Sequence, residues 1–200
     1  MSSGSGLHGV MDGKPRIKSA VMHGQFLTAG MDGIPVGVFA DPFGGFFNTV
    51  GPRQSSRYGM VIPSFVERAL SDEPIQVHGD GTQTRCFTHV HDAVRAVLGL
   101  LEAPAAEGEV VNIGQTDEIS INELAERVCE LSGSSSPLTH IPYEEVYGPG
   151  FEDMKRRTPD ISKLQATIDF EPAFSLDDIL EDVIDEVRSQ SGSASTAEPN

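Results

Sequence analysis

The sequence is short of the features that mark several protein classes. Its 200 residues hold two cysteines, Cys86 and Cys129, too few for a disulfide framework. Cys86 stands in the run Arg85-Cys86-Phe87, where a thiol behaves as a small core residue rather than a nucleophile. No apolar stretch approaches the roughly 20 residues needed to cross a bilayer, so no membrane partner is expected. The first residues, MSSGSGLHGVMDGKPR, have neither the basic start nor the apolar centre of a secretory signal. With so few cysteines, a reducing, cytoplasmic setting is expected. Cations are scarce as well: 14 Lys and Arg stand against 30 Asp and Glu, a formal charge of −16. Nucleic-acid binding draws much of its strength from phosphates neutralised by Lys and Arg, so no nucleic-acid partner is expected. Internal repeats are absent.

What is present reads as one folding unit with a core. Hydrophobic residues make up 38% of the chain and charged residues 22%, and the length suits one ordinary domain. The first 45 residues are rich in Gly and Met, with a short helix expected over SAVMHGQFLTA (19–29). FFNTV (46–50) reads as a buried strand ended by Gly51-Pro52. A helix is expected over 60–70, with Pro63 tolerable only in its first turn. Strands follow at 75–78 and 85–90, separated by the turn Gly79-Asp80-Gly81. In the next helix, 91–103, Val94, Val97, Leu98 and Leu101 have the i, i+3, i+4, i+7 spacing of one buried face. EVVNI (109–113) reads as a strand, and Ser120-Ile121-Asn122-Glu123 is a capping box opening a helix that closes at Gly133. A short strand is expected at 138–141, an irregular stretch at 143–157, and a helix capped by Asp160 to about Ala166. A last helix begins at Ser175 with Leu176, Ile179, Leu180 and Val183 facing a core, and from Ser189 the composition is that of a disordered tail.

Five segments in order resemble one protein family: FFNTVGPRQSSRYGMVIPSFV (46–66), PIQVHGDGTQTRCFTHVHDAVRA (74–96), GEVVNIGQTDEISINELAE (108–126), IPYEEVYGPGFEDMKRRTPDISK (141–163) and FEPAFSLDDIL (170–180). Together they resemble the carboxy-terminal, substrate-binding half of the extended short-chain dehydrogenase/reductases, the NAD-dependent nucleotide-sugar epimerases and dehydratases. The nearest branch in appearance is UDP-glucose 4-epimerase; UDP-glucuronate decarboxylase and dTDP-glucose 4,6-dehydratase are the rivals. The resemblance implies an α/β fold, the small substrate-binding domain with the Rossmann half largely missing. It also implies a division into a degenerate or poorly ordered remnant (1–45), a nucleotide-sugar-binding domain (46–188) and a disordered tail (189–200).

A diphosphate needs cationic donors in fixed geometry, and Arg binds phosphate oxygens with a planar fork. By motif position Arg85 and Arg157 are the candidates, with Arg156 the alternate of the second; a surface ion pair is the other reading of each. Asn48 resembles the family Asn that bonds diphosphate or sugar, and equally suits the turn before Gly51-Pro52. Val61, Ile62 and Phe65 fall near the base by the same resemblance, although helix packing explains them too. Val77 and His78 stand where the family places residues beside the base, with His78 able to stack on a pyrimidine. Asp160 matches the family's PD and is expected to cap a helix or orient Arg157 rather than touch ligand. His89, His91 and Asp92 have ligand-like spacing, but the family segment they fall in needs no metal, and none is expected.

The family's chemistry is hydride transfer to NAD assisted by a Tyr-xxx-Lys pair. No GxxGxxG or GxGxxG follows a strand near the start of this sequence. If Lys18 is aligned with the family Lys, Lys14 occupies the Tyr position. No catalytic residue is therefore assigned, NAD binding by this chain alone is not expected, and activity would need a second chain carrying the Rossmann half. The other readings are a non-catalytic nucleotide-sugar-binding or interaction module, and an inert remnant.

Overall fold

The computed structural model describes residues 27–31, 34–38, 45–54, 60–150 and 153–194. Lys14, Lys18 and residues 19–26 of the expected first helix lie outside them. Where that helix enters the described residues it is replaced by strand β1 (Leu27–Met31), paired antiparallel with β2 (Ile34–Val38). Gly30 lies opposite Pro35 in this ladder. Both residues disfavour a helix interior, and pairing satisfies the backbone groups that a helix would otherwise use.

From residue 45 the chain alternates short strands and helices. The expected strand 46–50 is corrected to an isolated parallel bridge between Phe46 and Ile113, followed by β3 (Thr49–Val50). Asn48 separates the two, since its φ of 39° interrupts the extended backbone. The expected strand 109–113 contributes only Ile113, whose amide donates to Gly45 O and whose carbonyl accepts from Phe47 N. Helix α1 (Val61–Leu70) begins after Met60, so Pro63 falls in the first turn, where no intrahelical bond is lost. Strand β4 (Ile75–His78) follows. The expected strand 85–90 is split into β5 (Thr84–Cys86) and β6 (Thr88–His89), with Val90 already opening α2 (Val90–Glu102).

After a 3-10 turn (Pro104–Ala106), β7 (Glu118–Ser120) leads into α3 (Ile121–Ser132) through the capping box: Ser120 Oγ accepts from Glu123 N and Glu123 Oε2 accepts from Ser120 N. Gly133, at φ 70°, closes α3 in the left-handed conformation that costs glycine no Cβ clash. Then come β8 (Leu138–Ile141), α4 (Tyr143–Tyr147), β9 (Arg156–Arg157), α5 (Ser162–Ile168) and α6 (Leu176–Ala194). The stretch expected to be irregular thus holds α4 and β9. Helix α6 passes Ser189, correcting the expected start of the tail; residues 195–200 lie outside the described ones.

The strands form small sheets. β3 pairs parallel with β6, β4 parallel with β8, and β5 lies between antiparallel β7 and parallel β9. This is a mixed α/β fold without a continuous doubly wound sheet among the described residues. Two apolar clusters support it. The larger joins Ile62, Phe65 and Val66 of α1, Ile75 and Val77 of β4, Leu124 and Val128 of α3, and Ile179, Leu180 and Ile184 of α6. The smaller joins Ala93, Ala96 and Leu100 of α2 to Val111, Ile113, Leu164 and Phe170. The face of α2 expected to be buried is corrected in part: Val97 and Leu101 pack against the smaller cluster, but Val94 and Leu98 are 51% and 52% exposed, and Ala93, Ala96 and Leu100 face inward.

Candidate nucleotide pocket

The strand and helix ends around the larger cluster enclose a cavity of about 300 Å³. Helix α1 supplies one wall with Val61 and Phe65, the end of β4 another with Gln76 and His78, and β5 supplies Arg85. Asn48, Thr49, Tyr143, Tyr147 and Asp153 line it as well.

Of the residues singled out from the sequence, Asn48, Val61, Ile62, Phe65, His78 and Arg85 line this cavity. Val77 does not. Strand alternation turns Gln76 and His78 toward the cavity and buries Val77 fully in the core. Arg157 does not line it either; its guanidinium carbon lies 5.5 Å from the centre of the Phe47 ring, a cation–π contact. Asp160, expected to cap α5, instead stands one residue ahead of the N-cap Ile161 and accepts from Ser162 N at 2.9 Å; it is likewise outside the cavity. Arg156 bonds Glu118 across the β5 sheet. Gln83, Tyr143, Tyr147 and Asp153 were missed by the sequence reading, although Tyr143 and Tyr147 have the i, i+4 spacing of one helix face.

Each polar wall residue has an identifiable setting. Asn48 adopts the left-handed conformation that Asn tolerates and donates Nδ2–H to Cys86 O at 2.8 Å, which fixes its side chain. Gln83, 8% exposed, donates to His78 O at 3.1 Å. His78 Nδ1 lies 3.1 Å from Tyr147 Oη, and the two rings meet edge to face. Burial, with a smaller effect from Arg68, pushes the His78 imidazole below its ordinary value and favours the neutral ring. Arg85, whose side chain is 13% exposed, donates through Nη1 to Thr84 O and Met154 O, and through Nη2 to Asp153 Oδ2 at 2.6 Å. Tyr143 donates its hydroxyl to the same Oδ2 at 3.1 Å. Burial first, then the Asp153 charge, pushes that phenol up to about 12. Gly79 makes room for this ring: at φ 76° it has no side chain, and a Cβ there would come within 2.3 Å of Tyr143 Cε2. Two wall atoms, Thr49 Oγ1 and Gln54 Oε1, are buried without a hydrogen-bond partner among the described residues.

His89 and Asp92, whose spacing resembles that of metal ligands, make other contacts. His89 is fully buried, accepts His91 N–H at Nδ1, and meets Asp182 through Nε2 at 3.0 Å. With Nδ1 accepting, Nε2 carries the proton. Asp92 accepts from the amides of Ala173 and Phe174 and from Arg95. A second, acidic depression beside α3 is lined by Glu118, Glu123, Glu130 and Asp177. These carboxylates are engaged by Arg156, the capping box and Arg127.

A dinucleotide needs a glycine-rich turn between a parallel strand and a helix amino terminus. Among the described residues, Gly79-Asp80-Gly81 leads into a strand, and Gly51, which follows β3, stands well ahead of Val61 in the sequence, where α1 begins. The described residues do not fit NAD.

Residues 43–114 match the model of the NAD dependent epimerase/dehydratase family. The chain is 41% identical over 155 residues to UDP-N-acetyl-alpha-D-glucosaminuronate decarboxylase of Bacillus cytotoxicus, covering 77% of this chain and 46% of that protein. It is 38% identical to UDP-glucuronic acid decarboxylase 2 of Arabidopsis thaliana, covering 65% of this chain and 27% of that one. The fold matches UDP-glucuronic acid 4-epimerase of Bacillus cereus, solved with UDP-glucuronic acid and NAD, at a TM-score of 0.65 and 32% identity, over 76% of this chain and 47% of that chain. UDP-glucose 4-epimerase of Thermotoga maritima, solved with UDP-glucose, matches at 0.65 and 30%, over 74% and 45%. The chain thus spans less than half the length of these relatives. It belongs to the NAD dependent epimerase/dehydratase family, among the extended short-chain dehydrogenase/reductases, as a counterpart of their carboxy-terminal part.

Proposed function

We propose that residues 46–188 form a nucleotide-sugar-binding unit that takes the nucleoside diphosphate portion of a UDP sugar. The observation that carries this reading is the pairing, in one cavity, of Arg85 with the apolar and aromatic wall of Val61, Phe65, His78 and Tyr147. A guanidinium fork suits phosphate oxygens, and a flat apolar wall suits a base. The buried acceptors on Thr49 and Gln54 add unused hydrogen-bonding capacity on the same walls. In this reading Val77, Arg157 and Asp160 support the pocket through the core, a cation–π contact and a helix start. The activity served is NAD-dependent epimerisation or dehydration of the sugar, with the dinucleotide and the general base supplied by residues beyond the described unit, including a second chain carrying a Rossmann half.

For the branch, UDP-glucose 4-epimerase is one assignment, supported by the likeness to the Thermotoga maritima enzyme. The relative at 41% identity favours decarboxylation of a UDP-uronate instead. A non-catalytic binding module is the remaining reading. Calorimetric titration of the chain with UDP, UDP-glucose, UDP-glucuronate and NAD separately, repeated with Arg85→Ala, tests the proposal. Binding of the UDP compounds that is lost in Arg85→Ala is expected; no binding of any UDP compound would overturn it.

A further inference from the structure

Among the described residues lining the cavity, Arg85 is the only Lys or Arg and Asp153 the only Asp or Glu. The two are already joined. Arg85 Nη2 meets Asp153 Oδ2 at 2.6 Å, and Tyr143 Oη donates to that same oxygen at 3.1 Å. A strong cationic donor and a hydroxyl therefore converge on one anionic oxygen inside the pocket. That is the environment a phosphoryl oxygen would occupy. The rest of the fork is heavily used, since both Nη1 bonds go to the carbonyls of Thr84 and Met154. Of the five guanidinium hydrogens, those left are on Nε and the second site of Nη2. A phosphate that takes the two-pronged grip of Nε and Nη2 must sit beside a carboxylate of like charge on Nη2, or displace it.

We infer that Asp153 is a built-in competitor: its carboxylate occupies the anion position of the pocket on Arg85 and Tyr143, and a nucleoside diphosphate binds by displacing it. The inference rests on the reading of the cavity as a nucleoside diphosphate site. Its effect is to weaken binding of the diphosphate by the strength of a partly buried, charge-assisted hydrogen bond, and to keep Arg85 compensated while the pocket holds no ligand. Gly79 belongs to the device because it seats the Tyr143 ring that holds the second bond to Asp153.

The test is titration of the full 200-residue chain with UDP, comparing the wild type with Asp153→Asn, Asp153→Ser and Arg85→Ala, each checked for an unchanged circular dichroism spectrum. Removing the carboxylate charge is expected to tighten UDP binding roughly 10- to 100-fold, with Asn and Ser agreeing in direction, while Arg85→Ala abolishes it. If UDP binds the wild type and is lost in Arg85→Ala, but the Asp153 variants bind equally or more weakly, Asp153 is neutral or a direct ligand contact. The competitor is then overturned while the pocket reading stands. If neither the wild type nor the Asp153 variants bind UDP, both fail.

Discussion

The two apolar clusters are built on different plans. Around the larger one, α1 and α3 pack on β4 and α6 packs on both helices, and their buried residues include the branched and aromatic Ile62, Phe65, Leu124, Ile179 and Leu180. Around the smaller one, Ala93, Ala96 and Leu100 of α2 share a cluster with Val111, Ile113, Leu164 of the two-turn α5 and Phe170, while Val94 and Leu98 of α2 stay exposed. The first region is covered from several directions and carries the cavity. The second is built from one long helix, the short α5 and irregular chain. The lesson is that a pocket needs walls held by independent elements, since each wall residue then keeps its place when a neighbour moves.

The largest expected effect lies in the first region. Leu124→Ala, at a fully buried site, removes side-chain volume among three helices that cannot close together, and should destabilise the chain by about 3–5 kcal/mol in urea unfolding. Leu164→Ala in the second region, equally buried, should cost nearer about 2 kcal/mol, because α5 is short and can settle into the space. Equal costs would mean that the two clusters are equally rigid.

Asp92→Ala tests a polar tie of the second region. It leaves the amides of Ala173 and Phe174 without their acceptor and should cost about 2–3 kcal/mol. The seam formed by β7, β5 and β9 responds to acid instead. Hydrogen bonds from Arg156, with a further one from Thr84, hold the Glu118 carboxyl down from 4.5 to about 2. Its folded value is depressed, so the stabilisation is present above pH 4.5 and is lost as the pH falls toward 2. The difference in melting temperature between the wild type and Arg156→Gln should therefore shrink across that window. The smallest effect is expected on the outer face of α2: Val94→Ser with Leu98→Ser should change stability by no more than about 0.5 kcal/mol each. Light scattering should show less self-association, because the pair removes an exposed apolar stripe.

Local chemistry made much of the framework legible. The capping box and Gly133 bounded α3, the spacing of Ile179, Leu180 and Val183 oriented α6, and Pro63 placed the first turn of α1. The motif resemblance brought Asn48, Arg85 and His78 forward as pocket residues before any geometry. Less legible was α2, whose sequence carries two overlapping stripes, one of Val94 and Leu98 and one of Ala93, Ala96 and Leu100. Hydrophobicity favours the first, and the second is selected by the cluster it joins with Val111, Ile113, Leu164 and Phe170. Tyr143 and Asp153 were missed because the significance of each lies in a partner far along the chain, Arg85, and in the space that Gly79 leaves.

By itself, then, the sequence determined the family and the local elements whose signals lie within a few residues: caps, turns and helical periodicity. The tertiary structure alone decided which face of α2 is buried, why Val77 and Arg157 stand outside the cavity, and that Arg85 meets an acid within it. The physical reason is range. Caps and periodicity act between near neighbours in sequence, whereas packing, strand register and the pairing of buried charges depend on residues that only folding brings together.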